Sequence, residues 1–137
     1  MKTIPEIESL QADMTKWRRD LHAHPETAFE ENRTAAIVAE KLKSFGIDAH
    51  IGMAKTGVVG TIRNGTGTRT VGLRADMDAL PMDELNQFDH RSKHAGKMHA
   101  CGHDGHTVML LGAAAYLAKL RKFDGTVHLI FQPAEEM

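Results

Sequence analysis

Apolar side chains near the start of the chain recur at the spacing of a helix. They stand three or four positions apart, at Ile7, Leu10, Met14, Trp17 and Leu21. This pattern predicts an amphipathic helix that runs to about His24. Thr3 and Glu6 form a capping-box sequence at its start, and Pro25 is expected to end it.

The middle of the chain changes from a helical to a strand-like pattern. A second amphipathic helix is predicted from about Asn32 to Phe45, with Gly46 as its C-terminal cap. Three short strand-like segments follow, at residues 48–53, 57–63 and 70–74. A turn sequence rich in glycine separates the last two of these segments.

The last third of the chain contains a loop, a helix and a strand in the predicted order. Residues 81–97 are polar and lack periodicity, which indicates a long loop that is either functional or disordered. A helix capped by Asp104 or Thr107 is expected to reach about Lys122. It should be buried, because it is apolar nearly all round. A strand at 126–131 closes the chain.

Helices interleaved with short strands predict an α/β layered fold. In such folds ligands bind beyond the carboxyl ends of the strands. Asp76 and Asp78 stand at the exit of one predicted strand, and Glu135 and Glu136 at the exit of another. Residues 101–103 lead into the buried helix. The three polar clusters are therefore expected to converge on one rim of the sheet.

Composition excludes several classes of protein. A chain of 137 residues is long enough for one domain with a core, and its net charge of −1 gives no electrostatic footprint for nucleic acid or an anionic membrane. A single cysteine cannot form an internal disulfide. The first residues lack the apolar core of a signal peptide, and no apolar stretch is long enough to cross a bilayer. We therefore expect a soluble, cytoplasmic protein.

A dense group of metal donors lies at residues 98–107, which hold the only cysteine and three of the nine histidines. Taken alone, Cys101 is more typical of a small buried residue than of a ligand. With His103 two positions away, the pair is typical of a borderline-soft metal site. A nucleophilic Cys101 activated by His99, His103 or His106 is the competing interpretation.

Two pairs of acids have both a functional and an ordinary interpretation. Glu135 and Glu136 could be a solvated pair, but a hydrolytic metal site needs one carboxylate on the metal and another that takes a proton from water. Asp76 and Asp78 could cap a turn, or orient a ligating imidazole. The remaining histidines are interpreted as surface or core residues: His22, His24, His50, His90, His94 and His128.

Three ordered segments carry these donors and acids: LRADMDALP at 73–81, GKMHACGHDGHT at 96–107 and FQPAEE at 131–136. With residues 33–35 and 55–58, they resemble the motifs of the M20 metallopeptidase family. The similarity is to its amidohydrolase branch of hippurate, N-acyl-amino-acid and auxin-conjugate hydrolases. The resemblance implies a layered α/β/α zinc-peptidase-like catalytic domain. Residues 1–137 would be its first half, without the inserted dimerisation and lid domain or the C-terminal half.

The resemblance also implies a role for individual residues. Cys101, His103 and Glu136 would be metal ligands, Glu135 the general base that deprotonates the attacking water, and Asp76 the aspartate that orients a ligand. Two divalent ions, chosen from zinc, manganese, cobalt and nickel, would occupy a complete site.

The implied reaction is hydrolysis of the amide bond of an N-acyl amino acid, such as a hippurate-like or acetyl-amino acid, by a homodimer or larger assembly. The alternative is a truncated, non-catalytic fragment that binds metal weakly or only associates with its missing half. Because family members are considerably longer, the 137-residue chain alone is not expected to be competent. The strand at 126–131 is then expected to have an exposed, unpaired edge.

Overall fold

The computed structural model describes residues 4–137. Its helices are α1 (Pro5–Glu8), α2 (Gln11–Ala23), α3 (Asn32–Ser44) and α4 (His103–Leu120). Its strands are β1 (Asp48–Met53), β2 (Gly57–Asn64), β3 (Thr70–Asp76) and β4 (Gly125–Gln132). The second predicted helix and the four predicted strands are confirmed, with ends that shift by two residues at most. Thr3 lies outside the described residues, so its predicted role in a capping box stays a prediction.

The four strands form one mixed sheet in the order β1-β2-β4-β3. β1 pairs with β2 and β2 with β4 in antiparallel fashion, whereas β3 and β4 are parallel. A parallel pair needs a crossover, and α4 provides it. The α/β class is therefore confirmed. The expected unpaired edge at residues 126–131 is wrong, because the crossover inserts β4 between β2 and β3 and leaves β1 and β3 at the edges.

The core lies between the sheet and helices α3 and α4. Its largest fully buried apolar side chains include Leu42, Leu111, Leu129 and Phe131. The helix α4 is not covered all round as predicted, since the side chain of Met109 is 59% exposed. No helix within residues 4–137 combines the length and the apolar character needed to span a membrane.

Two predicted helix boundaries are wrong. The predicted N-terminal helix is interrupted at residues 9–10, where the hydroxyl of Ser9 donates to the carbonyl of Glu6 (2.8 Å). The helix α4 begins after Gly102, which has a φ of 91°, and neither of the predicted caps is used. The hydroxyl of Thr107 instead donates to the carbonyl of Asp76 on β3 (2.9 Å).

The long loop at residues 81–97 has no regular helix or strand, as predicted, and a buried polar chain fixes it to the helices. Glu84 accepts a hydrogen bond from Nε2 of His22 (3.0 Å), and Nδ1 of the same ring lies 2.7 Å from the carboxylate of Asp104. Arg18 also contacts Asp104, at 2.8 Å. The loop is thereby joined through α2 to the first turn of α4.

The charge on Glu84 contributes to stability in a pH-dependent way. Burial raises the pKa of this carboxyl, but hydrogen bonds from His22, the Ser92 amide and Asn86 outweigh it and lower the pKa to about 2. The folded-state pKa is thus below the usual value of 4.5. The stabilisation is fully present above about pH 4.5 and is lost as the pH falls towards 2.

We predict that Glu84→Gln lowers the free energy of unfolding by about 1–3 kcal/mol at pH 7, because a hydrogen bond to a buried charged group is lost. The deficit relative to the wild type should shrink as the pH falls from about 4.5 to 2.5, where the wild-type carboxylate loses its advantage. Urea unfolding of both proteins across this range measures the difference. A deficit that stays constant with pH would contradict this account.

Candidate metal centre

The ends of two parallel strands bring the predicted clusters together. β3 ends at Asp76, and β4 ends at the neighbouring position Gln132, so that residues 133–136 leave the sheet beside Asp76. The first turn of α4 lies at the same edge and brings in His103. The three polar clusters therefore meet at one rim.

The first donor group contains Cys101, His103 and Glu136. One potential ligand atom from each of these residues lies within 4.8 Å of the others. His103 is only 2% exposed, and Oε1 of Glu136 is buried without a hydrogen-bond partner within residues 4–137. A buried carboxylate oxygen with no donor is what a cation would satisfy.

A second donor group shares the same imidazole. Asp76, His103 and His106 also present ligand atoms within 4.8 Å of one another. Nδ1 of His106 is 2.6 Å from Oδ1 of Asp76, and Nε2 of His103 is 3.5 Å from the same oxygen. Burial raises the pKa of Asp76, but the hydrogen bond from His106 and the charge of His103 outweigh it, so that the pKa is lowered.

The carboxylate that orients His103 belongs to Asp78 and not to Asp76. Nδ1 of His103 lies 2.9 Å from the backbone carbonyl of Asp78 and 3.1 Å from its Oδ1. These acceptors favour the tautomer with the proton on Nδ1. The lone pair of Nε2 then faces the other potential metal ligands. The other oxygen, Oδ2, accepts the amide N–H of Glu136 (2.9 Å). The carboxylate of Asp76 instead contacts Nδ1 of His106, and the ligand-orienting role that the resemblance implies for Asp76 stays a prediction.

Both acids after β4 face His103. Oε2 of Glu135 is 3.7 Å from Nε2 of His103, and Oε1 of Glu136 is 3.6 Å from it. The side chain of Glu135 is 39% exposed, so a small molecule can reach it. Arg74 lies near this group, with its guanidinium 3.5 Å from Asp76 and 4.0 Å from Glu135.

The charges around Cys101 do not favour a free thiolate. The hydrogen bond to Glu136 raises the pKa of the thiol, and the negative charges of Glu136, Glu135 and Asp76 act in the same direction. A nucleophilic cysteine needs surroundings that lower its pKa. A bound cation would reverse this effect and make the sulfur a ligand.

His99 and His106 show the limits of the sequence pattern. His99 was a candidate to activate Cys101, but it is 4% exposed and burial lowers its pKa to about 4. Its ring packs beside that of His22 with 6.3 Å between centroids. His106 was not singled out as a ligand. Its position three residues after His103 puts both rings on one helix face, and this spacing was the available signal.

The donor set fits a divalent transition metal. A thiol, two imidazoles and two carboxylates lie in two groups that share His103, and the carboxylate of Glu135 lies beside them. Such mixed sulfur, nitrogen and oxygen donors suit borderline ions such as zinc better than magnesium or calcium. The buried, unpaired oxygen of Glu136 points to the same conclusion.

Known proteins resemble this chain in sequence and in fold. The sequence model of the family described as "Peptidase family M20/M25/M40" matches residues 72–137. The chain is 51% identical to a hippurate hydrolase of Campylobacter jejuni over 99% of its own length and 35% of the relative's. It is 47% identical to an N-acyl-L-amino acid amidohydrolase of Geobacillus stearothermophilus, over 96% of this chain and 36% of that one.

A solved structure adds information on the fold. The YXEP protein of Bacillus subtilis, described as a dinuclear metal-binding peptidase from the M20 family, superposes with a TM-score of 0.89 and 40% identity. The match covers 94% of this chain and 37% of that one. The chain thus spans about a third of the length of the relatives that it matches. By its sequence over residues 72–137 and by its fold, the chain is similar to members of peptidase family M20/M25/M40.

Proposed function

We propose that this chain supplies part of the active site of a metal-dependent amidohydrolase, which cleaves the amide bond of N-acyl amino acids to release a carboxylate and an amino acid. The observation that carries the proposal is the convergence of Cys101, His103 and Glu136, with Glu135 beside them. The hippurate hydrolase and N-acyl-amino-acid amidohydrolase among the relatives support this substrate class.

Cys101, His103 and Glu136 would hold one divalent ion. Asp76 and His106 adjoin the same imidazole and are the candidates for contacts with a second ion, which the dinuclear relative supports. The metal could be zinc, manganese, cobalt or nickel. When bound, it would lower the pKa of a water molecule and polarise the substrate carbonyl.

Three other side chains would have separate roles in the reaction. Glu135 is exposed and lies 3.7 Å from Nε2 of His103, so its carboxylate can take a proton from water and pass it to the leaving nitrogen. Asp78 fixes the orientation and tautomer of His103 through Nδ1. Arg74, between Asp76 and Glu135, balances part of the negative charge at the rim.

Two other functions compete with this one. A non-catalytic fragment that binds metal weakly is favoured by the share of the relatives that the chain spans, about a third. A cysteine hydrolase is disfavoured, because the carboxylates around Cys101 raise the pKa of its thiol.

We predict that Cys101→Ser and His103→Ala each reduce metal occupancy, because each removes a donor of the first group. His94→Ala is the matched control, since His94 is an exposed histidine in the loop at 81–97. Elemental analysis after dialysis against zinc or manganese gives the occupancy. Equal occupancy in the three variants and the wild type would overturn the ligand assignment.

In a chain extended to the length of the relatives, we predict that Glu135→Gln loses turnover by a factor of roughly 10² to 10⁴ but keeps its metal, as expected for loss of a general base. Glu136→Gln should lose metal together with activity. Steady-state rates on hippurate and parallel metal analysis separate the two effects. If Glu135→Gln stayed within a fewfold of the parent rate, another residue would have to be the base.

The 137-residue chain by itself is predicted not to hydrolyse N-acyl amino acids at a useful rate, because its two donor groups depend on one shared imidazole. The assay uses hippurate and acetyl-amino acids with added zinc, manganese or cobalt. Turnover near a typical rate of about ten per second would show that these donors suffice. Activity that survives chelator but is lost on alkylation would favour the cysteine hydrolase.

A further inference from the structure

Glu31 is a completely buried acid that lies outside both donor groups. It is 0% exposed and stands immediately before α3. Its Oε2 accepts a hydrogen bond from the hydroxyl of Thr56 in the β1–β2 turn (2.5 Å), and its Oε1 accepts the backbone N–H of Ala134 (2.9 Å). One carboxylate therefore joins three segments that are distant in sequence.

Ala134 is the residue that needs this contact. It has a φ of 54°, a left-handed conformation that is unfavourable for a residue with a Cβ atom. Its neighbour Pro133 has no N–H, so Ala134 provides the first backbone donor after β4. Without an acceptor for this N–H, the free-energy cost of an unpaired amide would add to the cost of the left-handed conformation.

Two carboxylates hold this turn from opposite ends. Glu31 accepts the N–H of Ala134, and Asp78 accepts the N–H of Glu136. Glu135 lies between these two tethers. The direction in which Glu135 and Glu136 point is therefore set by two acceptors that belong to other segments.

The segment that carries Glu31 is itself fixed. The carboxylate of Glu26 accepts the N–H groups of Arg33 (2.9 Å) and Thr34 (2.7 Å) at the start of α3. The backbone carbonyl of Glu26 accepts the N–H of Ala79, next to Asp78 (2.8 Å). Glu31 thus projects from a rigid support that is also attached to the second tether.

We propose that Glu31 is a positioning residue, whose carboxylate fixes the turn at 133–136 so that Glu135 and Glu136 face His103. This role rests on the function proposed above. It predicts that metal affinity depends strongly on the acceptor for the N–H of Ala134 and less on the hydrogen bond from Thr56.

The chemistry of the two partners allows a sharp test. The N–H of Ala134 can only donate, whereas the hydroxyl of Thr56 can donate or accept. A glutamine at position 31 satisfies both in one orientation, with its oxygen towards Ala134 and its NH₂ towards Thr56. A methionine has a similar volume, but its thioether sulfur is only a weak acceptor for the N–H of Ala134. Thr56→Val removes the other partner and keeps the tether, which makes it the matched control.

The experiment compares Glu31→Met, Glu31→Gln and Thr56→Val in the whole 137-residue chain. NMR hydrogen exchange reports on the Ala134 amide, and a cobalt(II) titration followed by sulfur-to-cobalt charge-transfer absorbance reports on the Cys101 group. Glu31→Met should speed exchange at Ala134 and weaken cobalt binding by about tenfold or more, as expected for an unsatisfied buried amide. Glu31→Gln and Thr56→Val should remain within about threefold of the wild type.

Each outcome decides the role of Glu31. Unchanged exchange or unchanged cobalt affinity in Glu31→Met would overturn it, and so would equal losses in Glu31→Met and Thr56→Val. If Glu31→Met does not fold, Glu31→Asp replaces it, since the carboxylate is then one methylene too short and Ala134 should lose protection. A wild-type chain without the cobalt band would refute the proposed metal group, while the exchange data would still test Glu31.

Discussion

The parallel pairing of β3 and β4 is the constraint on which the rest of the site depends. Parallel neighbours need a crossover, and the crossover here is the buried helix α4. The same pairing puts Asp76 and the turn at 133–136 at one end of the sheet. The N-terminal turn of α4, with its partial positive charge, meets these carboxylates there. The position of the donors is thus a consequence of strand order.

The concentration of acids at this rim is electrostatically unfavourable unless it is compensated. Asp76 and Asp78 each have an imidazole or an amide as a hydrogen-bond partner. Arg74 lies near Asp76 and Glu135, but one oxygen of Glu136 is buried without a donor among the described residues. A divalent cation would supply the missing positive charge and a partner for this oxygen. Metal affinity and the stability of the fold should therefore be coupled.

Local sequence patterns predict most of the helices and strands, but they do not predict the contacts between them. The helix α3 with its terminal Gly46 and the strands follow from periodicity and turn residues, and the rim follows from strand direction. Thr107 looked like a cap but hydrogen-bonds a strand 31 positions away. Which imidazole Asp76 and Asp78 each contact depends on how the chain turns after β3. Nothing in the residue pattern encodes that turn.

Glu30 and Glu31 show why a buried acid is hard to recognise from sequence. Glu30 is exposed and pairs with Lys97, as an acid in a polar run usually does. Glu31 is fully buried and stands immediately before α3, and its two oxygens accept hydrogen bonds from the hydroxyl of Thr56 and the N–H of Ala134. Hydrogen-bond donors from two other segments thus allow this carboxyl group to be buried. The rim is therefore organised from two helix starts: the first turn of α4 brings in His103, and the residue before α3 provides the acid that holds the turn carrying Glu135.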